Sequence, residues 1–360
     1  MTLSPTVVAE VSANHLGSLA NAKALVKAIA ESGATHVKFQ TYTADTMTID
    51  HDGPAFCISD GHALWGGRSL YSLYEEAHTP WEWHEDLFSL SRSLGLVPFS
   101  TPFDATAVDF LETLDPALYK IASMEIGDTP LIRRVAQTGR PIIMSTGTAT
   151  LSEVDDAVAA AMGAGCTDLT LLLCTSSYPA APRDVHLSRM SLLRERYGVP
   201  VGLSDHTLGI GVSITAVALG ATVIERHVTM SRSAGGADAA FSLEPDELAS
   251  LVTAVSAATE AIGSPEWGII GSEDESRRLK RSLYVIRDCE AGEVLSEESV
   301  RSIRPAGGLE PRHLHLVVGK RLVGAVKRGT PLSWDLIEGG ERGSRQTTST
   351  TPQPSGSPAG

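Results

Sequence analysis

Two histidines carry the sharpest chemical signal in the sequence. His206 ends the run VPVGLSDHT and His227 lies near the end of ATVIERHVT, with a small-residue helical stretch, IGVSITAVALG, between them. If both runs are parallel strands of one α/β sheet, their ends lie side by side and the two imidazoles converge at one mouth. Two neutral imidazoles can hold a divalent cation and leave positions open for water and substrate oxygens. Either histidine alone reads better as a strand cap bonded to backbone. The pair in matching positions favours a metal.

Lys38 in THVKFQ and Lys120 in LYKIAS sit inside otherwise apolar strands. An ammonium there is strongly disfavoured unless paired, so each lysine calls for an anion. A structural carboxylate would serve either one. Hydroxyls at the same strand ends, Thr101, Ser123, Ser145 and Ser204, make a phosphate with a carboxylate the better partner, although no Walker loop is present. The remaining polar residues at the strand ends include Glu10, Gln40, Glu125, Ser176, Tyr178 and Glu225.

The elements that must position these groups follow from periodicity. Apolar runs at 7–11, 36–40, 97–100, 119–122, 141–145, 169–174, 199–204 and 222–226 read as strands, and segments such as 21–32, 152–161 and 247–261 as helices between them. Eight such units predict a (β/α)8 TIM barrel with its chemistry at the carboxyl ends of the strands. A long excursion at 41–79 interrupts the second unit and suits a lid or a partner contact. The next helix is expected to start with Thr79 as N-cap and Pro80 at its first position. Trp81 and Trp83 read better as packing residues than as a substrate platform.

The chain has 360 residues, 42% of them hydrophobic, with 33 glycines for tight turns. That length fits a barrel at 1–265, a Gly/Pro-containing linker at 266–281, a small β-rich module at 282–338 and a disordered low-complexity tail at 339–360. A net charge of −14 argues against nucleic acid and acidic membranes as partners. Cys57, Cys166, Cys174 and Cys289 form no CxxC pair, and neither a signal peptide nor a membrane-spanning run is evident, which together suit a cytoplasmic protein.

AEVSANH, GATHVKFQTY, FSTPFD, YKIASMEI, IIMSTGTA, CTSSYP, VGLSDHT, ERHVTM and IRP occur in this order, and on them the chain resembles the sialic acid synthase family. SANH at 12–15 and LYSLYEEAHTPWEWH at 70–84 are most similar to its pseudaminic acid branch. The resemblance implies a transferase that condenses phosphoenolpyruvate with an amino-sugar aldehyde of the 2,4-diacetamido-2,4,6-trideoxyhexose type. It implies that Lys38, Thr101, Lys120, Ser123, Ser145 and Ser204 bind phosphoenolpyruvate, and that His206 and His227 hold manganese, magnesium or cobalt. Glu10, Gln40, Glu125, Ser176, Tyr178 and Asp238 would face the sugar, with Glu10, Glu125 or Asp238 handling protons. The terminal module would be an antifreeze-like (SAF) domain, and Arg304 in SIRPAGG would reach a partner's active site in a swapped homodimer.

Departures from the family pattern are Ala306 for a glycine, Ala237 for a proline beside Asp238, Ser231 for an aspartate, and Ser176 where the neuraminate branch carries asparagine. Losing a proline is expected to loosen the loop before Asp238. N-acetylneuraminate or N,N'-diacetyllegionaminate synthesis, a metal-dependent aldolase and a carbohydrate-binding scaffold are the competing readings.

Overall fold

The computed structural model describes residues 4–59 and 64–340. Residues 341–360, most of the expected disordered tail, lie outside them. The chain divides into two compact units between Ser264 and Pro265.

In the first unit eight parallel strands close into a barrel in chain order. They are β1 (Thr6–Glu10), β2 (His36–Thr41), β3 (Val97–Pro102), β4 (Tyr119–Ile121), β5 (Ile142–Ser145), β6 (Leu169–Cys174), β7 (Val201–Ser204) and β8 (Val223–His227). β1 closes against β8 with Glu10 opposite His227, and against β2 with Glu10 opposite Lys38. The expected strands are all present, displaced at their ends by a residue or two.

Strand alternation sorts the side chains. Outward residues such as Val37 and Phe39 join the large core shared with the surrounding helices, among them Leu25, Val26 and Ile29 of helix Leu19–Glu31. Inward residues form a separate apolar layer of Val8, Phe99, Ile143, Leu172 and Val223. Gly202 gives this layer room, since a Cβ there would run into the Val223 carbonyl and the Leu172 side chain. Two residues on from each member of the layer stand Glu10, Thr101, Ser145, Cys174 and Glu225. Period-two alternation therefore builds a polar layer directly above an apolar one.

Helices cover the outside and most begin on side-chain caps. Ser18 accepts from Asn21 N, Asp104 caps helix Ala105–Glu112, and Thr150 and Glu153 form a capping box on helix Leu151–Gly163. The expected start at Thr79 is a correction. Thr79 is buried, residues Trp81–Trp83 form a 3-10 turn, and the α-helix proper is His84–Ser93. Trp81 stacks on Phe110 at 4.8 Å and donates to the Tyr42 carbonyl at 3.2 Å, and these anchors accompany the tighter turn. Trp83 meets His15 edge-on at 5.5 Å, so both tryptophans pack the scaffold. The excursion carries structure of its own, including helices Ala44–Met47 and Leu70–Ala77.

In the second unit, β9 (Ser282–Val285) pairs antiparallel with β10 (Val300–Ile303) over a core of Leu283, Val285, Val300, Val317, Leu322 and Leu332. The stretch read as a linker holds short helical turns at Gly271–Glu273 and Asp274–Arg278. Ala306 takes a φ open to any residue, whereas Gly307 sits at φ +136°. Among the described residues no helix is long and apolar enough to cross a membrane.

Candidate active site

The polar layer is the floor of a cavity of about 420 Å³ at the carboxyl ends of the strands. Glu10, Lys38, Gln40, Thr101, Lys120, Ser123, Glu125, Ser145, Tyr178, Ser204, His206, His227 and Asp238 all line it. Ser176 does not. Ser176 follows the end of β6, its Oγ 3.9 Å from the Cys174 Sγ and in hydrogen-bonding contact with the lining residue Tyr178. Arg304 is exposed on the second unit.

The two lysines are partnered differently. Lys38 Nζ lies 2.9 Å from Glu10 Oε2 and 2.9 Å from Glu225 Oε2, a fully matched buried cation. Lys120 Nζ donates to Ser145 Oγ at 2.6 Å and to the Ile121 carbonyl at 3.0 Å, and its nearest carboxylate oxygen is Glu225 Oε1 at 3.7 Å. Burial would lower the Lys38 ammonium, but Glu10 and Glu225 outweigh it and hold it above its usual value. Burial lowers Lys120, only partly offset by Glu225 and worsened by Lys38. An arriving anion would therefore find its counter-charge at Lys120. Thr101 Oγ1 is buried beside this position without a hydrogen-bond partner, and such a group is costly until a ligand satisfies it.

The carboxylates divide in the same way. Burial would raise Glu10, but His227, Lys38 and the Gln40 amide, which donates at 2.7 Å, hold it well below the usual range. Glu225 is held low despite burial by Lys120 and Lys38, and accepts from Ser204 Oγ at 2.9 Å. At Glu125 burial wins over Lys120. Burial pushes it up to about 7, and its Oε2 makes no hydrogen bond.

His206 and His227 lie with ring centroids 5.3 Å apart. Their loops are clamped from behind by Arg226, an outward residue of β8 that is fully buried. Its guanidinium meets Asp205 Oδ2 at 2.8 Å and donates to the Thr207 carbonyl at 2.7 Å, while Asp205 accepts from Thr207 N at 2.9 Å. This network brackets His206 on both sides. The loop after β1 is tied to the same corner: Asn14 donates to the Val228 carbonyl at 2.9 Å, and Ser12 Oγ donates to Asp238. The Ala237 carbonyl accepts from Trp65 Nε1 at 3.0 Å, an anchor for the loop where the family has proline.

Two adjacent imidazoles are a donor set that could hold a divalent ion. His227 Nδ1 is buried without a hydrogen-bond partner while its Nε2 lies 3.2 Å from Glu10 Oε2, and burial keeps that imidazole below its usual pKa, in the neutral form that ligates metals. His206 differs: burial would lower it, but Cys174 and the Thr175 carbonyl, 3.1 Å from its Nδ1, outweigh that and hold it above its usual value, so a metal arriving there would have to displace a proton. Among the described residues no group of three or more protein ligands is preassembled, so the other positions would fall to water and substrate oxygens.

Residues 25–266 match the NeuB family and residues 280–338 the SAF domain. The chain belongs to the NeuB family. Its NeuB relatives include the pseudaminic acid synthase of Helicobacter pylori, 43% identical over 93% of this chain and 98% of that protein. The N,N'-diacetyllegionaminic acid synthase of Legionella pneumophila is 39% identical over 92% of this chain and 94% of that protein. Among solved structures, the N-acetylneuraminic acid synthetase of Leptospira borgpetersenii, in complex with citrate, superposes with a TM-score of 0.68 at 30% identity, covering 76% of this chain and 90% of that one.

Sequence reasoning assigned no role to Glu225, Cys174 or the excursion's side of the cavity. Strand parity is the signal for the first two: Glu225 is two residues before the assigned His227, and Cys174 two after the inward Leu172.

Proposed function

We propose that the chain condenses phosphoenolpyruvate with a 2,4-diacetamido-2,4,6-trideoxyhexose, giving pseudaminic acid or a near relative and phosphate. The observation that carries this reading is a single cavity in which Lys120, short of counter-charge and bonded to the Ser145 hydroxyl, shares the lining with further hydroxyls and two adjacent imidazoles. The pseudaminic acid synthase relatives support the choice of acceptor.

Lys120, Thr101, Ser123, Ser145 and Ser204 hold the phosphoenolpyruvate anion, with Lys38 fixing the carboxylates beside it. C3 of the enol bonds to the aldehyde carbon, water adds at C2, and the tetrahedral intermediate expels phosphate to leave the 2-keto acid. A divalent ion at His206 and His227, manganese, magnesium or cobalt, would supply Lewis acidity toward the aldehyde oxygen. Glu10, ionised, accepts a proton, and Glu125, poised near neutrality, exchanges one with the sugar oxygens; Asp238, fixed by Ser12, lies beside His227. Gln40 and Tyr178 line the acceptor's side. In this reading the enzyme works in the cytoplasm as a swapped homodimer, with Arg304 completing the partner's site. The exposed Trp267, Ile269 and Ile270 are apolar surface that a partner subunit would cover.

The test is phosphate release from phosphoenolpyruvate with the diacetamido trideoxyhexose, N-acetylmannosamine and the legionaminate precursor, with and without chelator, and mass measurement of each product. Activity with the first sugar, lost on chelation and in His206→Ala, is expected. Full activity in His206→Ala defeats the metal assignment, and turnover of N-acetylmannosamine alone defeats the acceptor.

A further inference from the structure

Helix Leu70–Ala77 belongs to the excursion after β2, and the Ser69 side chain caps it by accepting from Ser72 N. Leu70, Leu73, Tyr74 and Ala77 fall at i, i+3, i+4 and i+7, which is one helix face. All four line the cavity. Ser72, Glu75 and Glu76 on the other face are exposed. Leu73 is buried, yet none of the four belongs to the core that the barrel shares with its helices. The stripe therefore faces the cavity, where an amphipathic helix of this kind usually faces a core. Met47 extends it, Tyr42 meets Tyr74 edge-on at 5.8 Å, and Met124, 63% exposed, lines the cavity from the loop after β4.

The cavity thus has two chemistries. Its floor is charged and holds every group that could act on a phosphoenol or an aldehyde. Its excursion side offers mostly methyl and aromatic surface, with the hydroxyls of Tyr42 and Tyr74 and the Trp65 indole as its polar groups. A sugar whose aldehyde reaches the floor must present some other part to that side. A hydroxyl placed against Leu70 and Leu73 loses water without gaining a partner, whereas a methyl loses nothing and buries apolar area.

We infer that the Leu70–Leu73–Tyr74–Ala77 face is the acceptor-specificity wall, taking the methyl-bearing end of the sugar, its deoxy C6 and N-acyl methyl, and discriminating against acceptors hydroxylated there. This assignment rests on the synthase reading above and goes beyond it by naming the residues that choose the acceptor.

The experiment compares kcat/KM, at saturating phosphoenolpyruvate, for 2,4-diacetamido-2,4,6-trideoxyhexose and for the same sugar bearing a 6-hydroxyl. Wild type, Leu70→Asn, Leu73→Asn and the volume-conserving Leu73→Met are measured. Wild type is expected to favour the deoxy sugar by about 10- to 200-fold, the range for one apolar group in a hydrophobic pocket. Leu70→Asn should shrink that ratio by about 10-fold with the KM for phosphoenolpyruvate unchanged, and Leu73→Met should keep it. Leu73 is buried, so its Asn variant is read only if its thermal unfolding matches wild type; Leu70, half-buried, carries the test alone. Equal kcat/KM for the two sugars in wild type, or an unchanged ratio in Leu70→Asn, overturns the wall assignment and leaves the synthase intact. Failure of wild type to release phosphate with either sugar sinks the synthase reading, and the wall with it.

Discussion

Lys38 and Lys120 are both inward lysines of one barrel, and removing each should have a different consequence because their counter-charges differ. Lys38 is bonded to two buried carboxylates. Lys38→Met takes the nearest cation from both, leaving Glu10 with Gln40 and His227 and Glu225 with Ser204 and the more distant Lys120. Breaking a buried pair of this kind costs about 3–5 kcal/mol, so a large fall in melting temperature is expected. Lys120 leans on a hydroxyl and a carbonyl, with a carboxylate oxygen only at 3.7 Å. Lys120→Met should leave melting nearly where it is and raise the KM for phosphoenolpyruvate by about 100-fold, the loss of one charge-assisted contact to an anion. The opposite pattern, with Lys120→Met unfolding and Lys38→Met merely binding poorly, would remove the anion site from Lys120. Glu125 makes a separate prediction. Its carboxyl is raised by burial from 4.5 to about 7, so between those values the folded chain binds more protons than the unfolded one and stability falls as pH rises. Glu125→Gln removes that loss. In denaturant titrations without substrate the variant should gain on wild type across this window, by at most about 3 kcal/mol before allowing for residual solvent. Parallel stability curves would show Glu125 to be ordinary.

At the scale of elements, β7 and β8 hold the histidines through a salt bridge that faces away from the cavity. Arg226 and Asp205 are buried on the outer side, and their hydrogen bonds reach Thr207 on the far side of His206. Arg226→Met leaves Asp205 buried and unpaired, a loss of about 3–5 kcal/mol. It should also loosen the corner proposed to hold the metal, so that the divalent-ion concentration for half-maximal activity rises even where the protein is folded. Unchanged metal dependence in a folded Arg226→Met would confine the clamp to stability. The sequence announced this barrel plainly, since apolar runs alternating with helical periods leave few other architectures, and lysines inside such runs advertise a charged interior. Glu225 was harder to assign because a glutamate in a strand has no obligatory partner; only closure of β8 against β1 and β7 brings it to Lys38 and Ser204. The Thr79 start failed for a tertiary reason, as Trp81 is anchored on Phe110 and Tyr42. The stripe on Leu70–Ala77 was visible as an amphipathic pattern, but periodicity cannot say whether an apolar face meets a core or a ligand.

At the scale of the whole molecule, the two units have separate cores, and the smaller one carries Arg304 exposed. A swapped dimer makes a prediction that a monomer or a self-contained dimer does not. His206→Ala destroys the barrel site of its own subunit but leaves Arg304 available to a partner; Arg304→Ala does the reverse. Each homodimer should be nearly inactive. On mixing the two variants in equal amounts and allowing exchange, about half the dimers are mixed, and each has one of its two sites built from an intact barrel and an intact arginine. Activity should then return to roughly a quarter of wild type, about half of the dimers times half of the sites in each. Recovery should depend on protein concentration and fail if the dimers are crosslinked before mixing. No recovery, in a mixture shown by sedimentation to exchange subunits, would place the work of Arg304 within its own chain or outside catalysis altogether.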